Sequence, residues 1–211
     1  MIFDILITAG IVLSAVILHE CAHGWVAYKR GDPTAKLAGR LTLNPLKHID
    51  PFGTVILPAV LLFLRFLGMH IFVFGWAKPV PVNFQLLRNP RWDMIWVALA
   101  GPAVNIAIAI FCSFLLNYLI RASVPFKYFD LVVLAMYVNI LLAVFNMMPI
   151  PPLDGSRVVM GLLPRPLGYF YSRLERYGIL IIIVFLNVGL YNRIVFPLVQ
   201  FMGRVLGVEF S

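Results

Sequence analysis

The stretch ILITAGIVLSAVILHECAH, residues 5–23, is apolar almost without interruption until it ends in His19, Glu20 and His23. Polar and ionisable side chains in such a segment cost free energy unless chemistry requires them. Residues four positions apart lie on one face of a helix, so His19 and His23 can bind one metal ion. Glu20, next to the first histidine, can reach a water molecule on that metal. The HExxH spacing is the pattern of zinc hydrolases.

The composition is typical of a polytopic membrane protein. The chain has 211 residues, of which 62% are hydrophobic and 12% are charged, whereas a soluble domain carries about 25% charged residues. We therefore expect an all-α bundle of about 4–6 transmembrane helices, forming a single domain over residues 1–211. The N-terminal residues 1–4 lack the basic region of a cleavable signal peptide, so the first span is expected to be retained.

Apolar stretches and the charges between them predict the spans. The stretch 52–76 has basic residues on both flanks, so we expect it not to cross the membrane fully. It would instead form a re-entrant or extended, β-like segment near 52–83, with residues 73–82 as the extended edge. Full spans are expected over residues 3–28, 93–120 and 128–148, and a last, interrupted apolar stretch runs over 177–202.

Basic residues set the expected orientation. Lysine and arginine outnumber aspartate and glutamate by 17 to 9, and most of them lie in short segments between apolar stretches, as in cytoplasmic loops. This orientation places His19, His23 and Asp154 near the cytoplasmic surface of the membrane, and it leaves Arg121 and Lys127 outside. The same distribution argues against a nucleic-acid partner, because nucleic-acid binding needs such charges on one soluble face or along one helix.

A third metal ligand is expected outside the HExxH motif, because a catalytic zinc takes three protein ligands and keeps one position open. Asp154 is favoured, since the three prolines and the glycine around it fix the backbone. Asp130 would fall on the opposite membrane face, whereas His48 and Asp50 are competitors on the same side. The other candidates are His70, Asp93 and Glu175.

Three motifs together resemble the site-2 protease family of intramembrane zinc metallopeptidases. They are HECAH at 19–23, GPAVN at 101–105 and NMMPIPPLDG at 146–155. The loop LNPLKHIDPFGT at 43–54 and the run AKPVPVN at 77–83 are similar to compact prokaryotic members, which have no appended peptide-binding domain. The visible departure is Cys21, where the family usually has an aliphatic residue, and this position faces away from the metal.

The resemblance implies a site and an activity. One zinc ion per chain would be bound by His19, His23 and Asp154. Glu20 would be the general base, which takes a proton from the attacking water and passes it to the leaving amine. Asn105 and Asn146 would hold the substrate backbone or stabilise the oxyanion. The implied partners are a transmembrane protein substrate and the lipid bilayer, and the implied activity is intramembrane proteolysis.

Plainer alternatives remain open for several of these residues. Asp154 precedes Gly155, an ordinary turn signal; Asn105 could be a polar contact between helices, and Asn146 could cap its helix.

The rival functions are a non-enzymatic metal-binding membrane protein, an inactive protease-like scaffold and a membrane hydrolase of lipids or small amides. Glu20 argues against the non-enzymatic readings, because a pure binding site needs no base beside its ligands.

Overall fold

The computed structural model describes residues 2–69, 71, 73, 75–123, 125 and 127–210, and these residues form a helical protein, as the composition predicts. Not one of them is in a β-strand. The α-helices in the described residues are α1 (Ile2–Lys29), α2 (Thr34–Leu37), α3 (Leu57–Phe66), α4 (Pro90–Arg121), α5 (Lys127–Asn146), α6 (Asp154–Leu162), α7 (Arg165–Ser172), α8 (Gly178–Asn187) and α9 (Phe196–Val205).

Three helices are long and apolar enough to cross a membrane, over Leu6–Lys29 in α1, Pro90–Arg121 in α4 and Tyr128–Asn146 in α5. A hydrocarbon core of about 30 Å needs about 20 such residues. The C-terminal helices Arg165–Asn187 and Tyr191–Val205 form a further pair bent by 72°, which is a broken span or a re-entrant pair. By length and composition, the described residues therefore supply three candidate spans, or four with the bent pair, and the expected count of about 4–6 is not confirmed.

The ends of α1 and α4 follow from their sequence and lie together. Gly31, with a φ of +112°, takes the left-handed conformation that favours glycine and ends α1. Pro90 begins α4 at a position where a backbone N–H is not required. Arg30 at the end of α1 lies 3.2 Å from Asp93 in the first turn of α4. The two helix ends are thus held next to each other.

Helix α4 is the centre of the bundle and packs against α1, α5 and α6. Phe111, Phe114 and Phe201 point outward and are more than half exposed, as expected of helices surrounded by lipid. The main core joins α4 and α5 to the C-terminal helices, and its buried members are Ala109, Cys112, Met136, Ile140, Val144, Phe185, Val195, Val199 and Phe210.

The apolar stretch 52–76 forms a helix that is too short for a full span. The helical part is Pro51–Phe66, and it opens with a π-helical turn over Pro51–Ile56. At about 1.5 Å per residue it is about 24 Å long, which is less than the thickness of the hydrocarbon core. The side chain of Asp50 begins this helix by accepting a hydrogen bond from the N–H of Gly53 at 2.6 Å.

The expected β-like edge is not confirmed. Phe74 lies outside the described residues, as does His70, and the described residues between 73 and 83 form neither helix nor strand. Pro79 and Pro81 explain part of this result, because proline has no N–H to donate to a ladder.

A short irregular segment, residues 77–83, lies against α1 and is named the strap. Two buried charged side chains hold it at its two ends. The Nη2 of Arg40 donates to the carbonyl of Lys78 at 2.7 Å, and Oδ2 of Asp32 accepts from the N–H of Asn83 at 2.7 Å. Because Arg40 and Asp32 are 8% and 0% exposed, the strap is anchored to the protein interior rather than to its surface.

Candidate metal centre

Three side chains from distant parts of the sequence meet at one point. His19 and His23 lie one turn apart on α1, and Asp154 is the first residue of α6. Nε2 of His19 lies 3.0 Å from Nε2 of His23 and 3.1 Å from Oδ2 of Asp154. The third side of the triangle, from His23 Nε2 to Asp154 Oδ2, is 3.2 Å. These separations are within about 0.4 Å of those around a tetrahedral ion with bonds of about 2.0–2.1 Å.

The outer nitrogen of each imidazole is bonded so that Nε2 faces the centre. Nδ1–H of His19 donates to Oδ1 of Asn105 at 2.6 Å, and Nδ1–H of His23 donates to the carbonyl of Val97 at 2.6 Å. Both partners are acceptors, so they place the protons on Nδ1 and orient the rings, as the outer partners of metal-bound histidines do. The Nε2 atom of each imidazole then presents a lone pair toward the carboxylate of Asp154.

The converging atoms are suited to a cation. Burial raises the pKa of Asp154, but hydrogen bonds from His19 and His23, and the positive charge these imidazoles carry when Nε2 is protonated as well, lower it to about 2, so the side chain is a carboxylate. The three side chains are 7%, 11% and 15% exposed. Lone pairs that face one another this closely repel unless a proton or a metal ion lies between them. Two imidazoles and one carboxylate form a donor set of catalytic zinc sites, which keep a fourth position open.

A glycine of α4 leaves the room that the imidazoles occupy. A Cβ atom at Gly101 would lie less than 3.0 Å from Nε2 of both His19 and His23. Glycine inside a helix costs about 0.5–1 kcal/mol relative to alanine, and at this position the missing side chain lets α4 approach the metal centre. Pro102 follows directly inside the same helix.

Asp154 is placed by a tight turn between α5 and α6. The backbone N–H and the hydroxyl of Ser156 both donate to the carbonyl of Leu153, at 3.0 and 2.7 Å. A Cβ atom at Gly155 would collide with the backbone carbonyl of Met147. Glycine therefore allows the end of α5 and the start of α6 to approach closely, which brings the carboxylate of Asp154 next to the two imidazoles.

Glu20 lies beside the first histidine and against the strap. Its Oε2 accepts a hydrogen bond from the N–H of Val80 at 2.8 Å, whereas no donor among the described residues contacts Oε1. Val80 is buried, and its side chain occupies the space that a Cβ at Gly24 would need. The carboxylate is thus held at one oxygen and available at the other, which is the arrangement a proton acceptor requires.

The two asparagines expected at the site have different surroundings. Asn105 is fully buried, and besides its bond to His19 its Nδ2 lies 2.9 Å from Oδ1 of Asn139 and 3.4 Å from a backbone carbonyl of α1. Both amide hydrogens are engaged inside the bundle, so Asn105 orients His19 in this structure. Asn146 ends α5 and donates to a carbonyl of its own helix at 2.9 Å.

Among the described residues, His19, His23 and Asp154 are the one group of metal-ligating side chains found this close together. The position of His70 is outside the described residues. The other candidate ligands have other surroundings: His48 donates to the Thr42 carbonyl, Asp50 accepts from Gly53, Asp93 pairs with Arg30, Glu175 pairs with Arg157, and Asp130 lies in the first turn of α5.

Sequence reasoning missed the groups that support the site. The Val97 carbonyl is a backbone group and has no sequence signal. Asp32 and Arg40, which anchor the strap, were not among the residues predicted for the site. A lone aspartate beside a proline and an apolar span is a weak signal for a buried anchor. Aspartate is rarely buried without a partner, and the local sequence does not show which group that partner is.

Comparisons with known proteins agree with this chemistry. The family model of peptidase family M50 matches residues 7–130 and 121–189. The "Putative zinc metalloprotease YwhC" of Bacillus subtilis is 35% identical over 196 residues, which cover 87% of this chain and 81% of that protein. The "Putative zinc metalloprotease Rip2" of Mycolicibacterium smegmatis is 30% identical over 208 residues, covering 97% of this chain and 75% of that protein. No solved structure matches.

Proposed function

Because this chain belongs to peptidase family M50, the site-2 protease family, we propose that it is a zinc-dependent endopeptidase acting within the membrane. Its substrates would be membrane proteins, cleaved in or near their transmembrane segments. The observation that carries the proposal is the convergence of His19, His23 and Asp154 beside Glu20, near the end of a helix long enough to span a membrane.

The chemistry divides between the metal and the protein. A zinc ion bound by the two histidines and the aspartate would supply a Lewis acid that polarises the scissile carbonyl and lowers the pKa of a water molecule. Glu20, through its unpartnered Oε1, takes the proton of the attacking water and returns it to the leaving amine. Asn105 keeps His19 in the tautomer and orientation that a metal ligand needs.

The proposal includes an orientation in the cell membrane. Lys29 ends α1, Arg30 follows it and Arg91 lies in the first turn of α4, while further arginines follow α5. The bias of lysine and arginine toward cytoplasmic loops supports a metal centre on the cytoplasmic side. Cleavage there would release the cytoplasmic part of a substrate, which is the output of regulated intramembrane proteolysis.

The strap can present one residue to an unwound substrate. A helical substrate already satisfies its own backbone, so it must become extended before its carbonyl can reach the metal centre. In the strap, the N–H of Val80 is bound to Glu20, and the two carbonyls before it are bound to Arg40. No described residue bonds to the N–H or the carbonyl of Val82. An extended substrate pairing with Val82 would exchange two antiparallel hydrogen bonds.

Val82→Pro is expected to slow cleavage of a transmembrane substrate by roughly 3- to 10-fold. Proline has no N–H to donate to the substrate, and the loss of one hydrogen bond costs about 1 kcal/mol. Zinc content should not change. Val82→Thr, which keeps the N–H and the β-branched shape, is the matched control and should cleave at the wild-type rate. If Val82→Pro also cleaves at that rate with normal zinc content, substrate does not pair at this position, although the protease proposal stands.

Removal of the metal tests the function itself. The full chain is purified in detergent, its zinc is measured and then chelated, and cleavage of a reporter containing a transmembrane segment is followed before and after zinc is restored. We expect about one zinc per chain, loss of cleavage on chelation and recovery with added zinc. Asp154→Ala should neither retain zinc nor recover activity.

Two results would contradict the proposal. Cleavage that persists in metal-free protein would exclude zinc chemistry. A zinc-loaded protein that cleaves no transmembrane reporter, tested over several unrelated reporters, would favour the inactive scaffold, and a parallel assay with lipid esters and small amides would identify the hydrolase alternative.

A further inference from the structure

A basic cavity of about 370 Å³ lies outside the metal centre, between the strap and the loop that follows α2. Its cationic lining residues are Arg40, Lys47 and Lys78, and its apolar lining includes Leu46 and Ile49. No acidic residue is among the described residues that line it. A concave site with three positive side chains and no counter-charge is complementary to an anion.

Arg40 shows that the cavity is a built site rather than a chance grouping of surface charges. The side chain is 8% exposed, and its Nη2 donates to the carbonyls of Lys78 and Pro79 at 2.7 and 3.2 Å. Its Nε has no hydrogen-bond partner among the described residues. A buried, unpaired N–H of a charged group is costly to leave unsatisfied, and a ligand oxygen that accepts from this Nε–H would form a charge-assisted hydrogen bond.

The surroundings of the cavity are those of a membrane surface. Leu37, Leu43 and Leu46 are 81%, 64% and 75% exposed, and Phe52 at the start of the apolar Pro51–Phe66 helix is 55% exposed. Lys47 is also exposed and lies among them in sequence. Exposed large apolar side chains next to lysines are typical of segments at the level of the lipid headgroups.

We propose that this cavity binds the phosphate group of an anionic phospholipid, with Arg40, Lys47 and Lys78 around the phosphate and the exposed leucines toward the acyl chains. The chemistry shared with soluble ligands is a phosphate ester, so a free phosphate compound is the other possible source. The inference goes beyond the proposed protease activity, because it is measured as binding. It concerns a place on the protein that is separate from the zinc ligands.

The test uses the full chain, delipidated in detergent and titrated with phosphatidylglycerol or phosphatidylcholine, with bound lipid counted by native mass spectrometry. Glycerol phosphate and inorganic phosphate are titrated separately by calorimetry. The pocket variant is Lys47→Gln with Lys78→Gln. The matched control is Arg165→Gln with Arg173→Gln, which removes the same charge from exposed positions outside the cavity. Lys47→Gln alone replaces the double variant if the latter does not fold.

We expect saturable binding of phosphatidylglycerol in preference to phosphatidylcholine. The pocket variant should bind roughly 10- to 30-fold more weakly, since each lysine near a lipid surface contributes about 1 kcal/mol, and the control should bind as the wild type does. If glycerol phosphate or inorganic phosphate binds with the same dependence on Lys47 and Lys78, the anion site is upheld and its source is soluble.

Three results would overturn the proposal. The first is that phosphatidylcholine binds as tightly as phosphatidylglycerol. The second is that the pocket variant and the control lose binding equally, which would indicate an effect of general surface charge. The third is that neither lipid nor soluble phosphate binds.

Discussion

Glu20→Gln is expected to lower cleavage of a transmembrane reporter by about 10²- to 10⁴-fold, the usual contribution of a general base, while zinc binding is kept. Glutamine has nearly the same shape as glutamate, and its side-chain oxygen can still accept the hydrogen bond from the N–H of Val80. The neutral amide cannot take a proton from water. Zinc content by elemental analysis and the cleavage rate are measured on the same preparation.

Glu209→Gln is the matched control, because Glu209 is 87% exposed in its side chain and lies far along the sequence from the site. It should cleave at the wild-type rate. If Glu20→Gln cleaved as fast as this control, Glu20 would not be the base, and another proton acceptor would have to be found. If Glu20→Gln lost its zinc as well, the residue would instead be part of the metal-binding structure.

Gly101→Ala is expected to weaken zinc binding by roughly 100-fold or more, which exceeds the effect of losing an outer partner of a ligand. The added methyl group would enter the space of the Nε2 atoms of His19 and His23, because a Cβ there lies less than 3.0 Å from both. Helix propensity alone favours alanine over glycine by about 1 kcal/mol, so the loss would come from the collision. Zinc affinity is measured by competition with a chelator of known affinity.

Gly10→Ala is the control for Gly101→Ala. It lies inside the other helix of the site, α1, and a Cβ at this position meets no atom within 4 Å. This variant should bind zinc normally and be at least as stable as the wild type, as measured by thermal unfolding in detergent. Wild-type zinc affinity in Gly101→Ala would mean that α4 does not pack against the imidazoles as the structure places it.

Much of the architecture could be predicted from local patterns. Apolar runs long enough to cross a bilayer predict α1, α4 and α5, since an isolated helix in lipid must satisfy its own backbone. The 52–76 stretch was harder, because Arg65 and Gly68 interrupt it and basic residues lie on both flanks. The expected β-like edge was not confirmed, since whether an extended segment pairs with a strand depends on neighbours that are distant in sequence.

The site, like the fold, has some features that follow from the local sequence and others that depend on tertiary packing. The distance between His19 and His23 follows from the period of a helix, so the sequence alone places them on one face. The sequence also favoured Asp154, through the rigid turn that holds it. Asn105 was expected to hold the substrate backbone or stabilise the oxyanion, which stays a prediction; in the structure its amide is bonded to His19 and Asn139. A motif can indicate that an asparagine matters, but the direction of its amide depends on which helices face it.

The sequence by itself determined a helical membrane protein with a two-histidine, one-glutamate motif at the end of its first span, because hydrophobicity and helical period act over neighbouring residues. The tertiary structure alone decided three further features. The turn before α6 brings Asp154 to the histidines, Gly101 makes room for them, and the strap binds Glu20 through Val80. These contacts join residues 60 or more positions apart, so they depend on how whole helices pack and not on any local pattern.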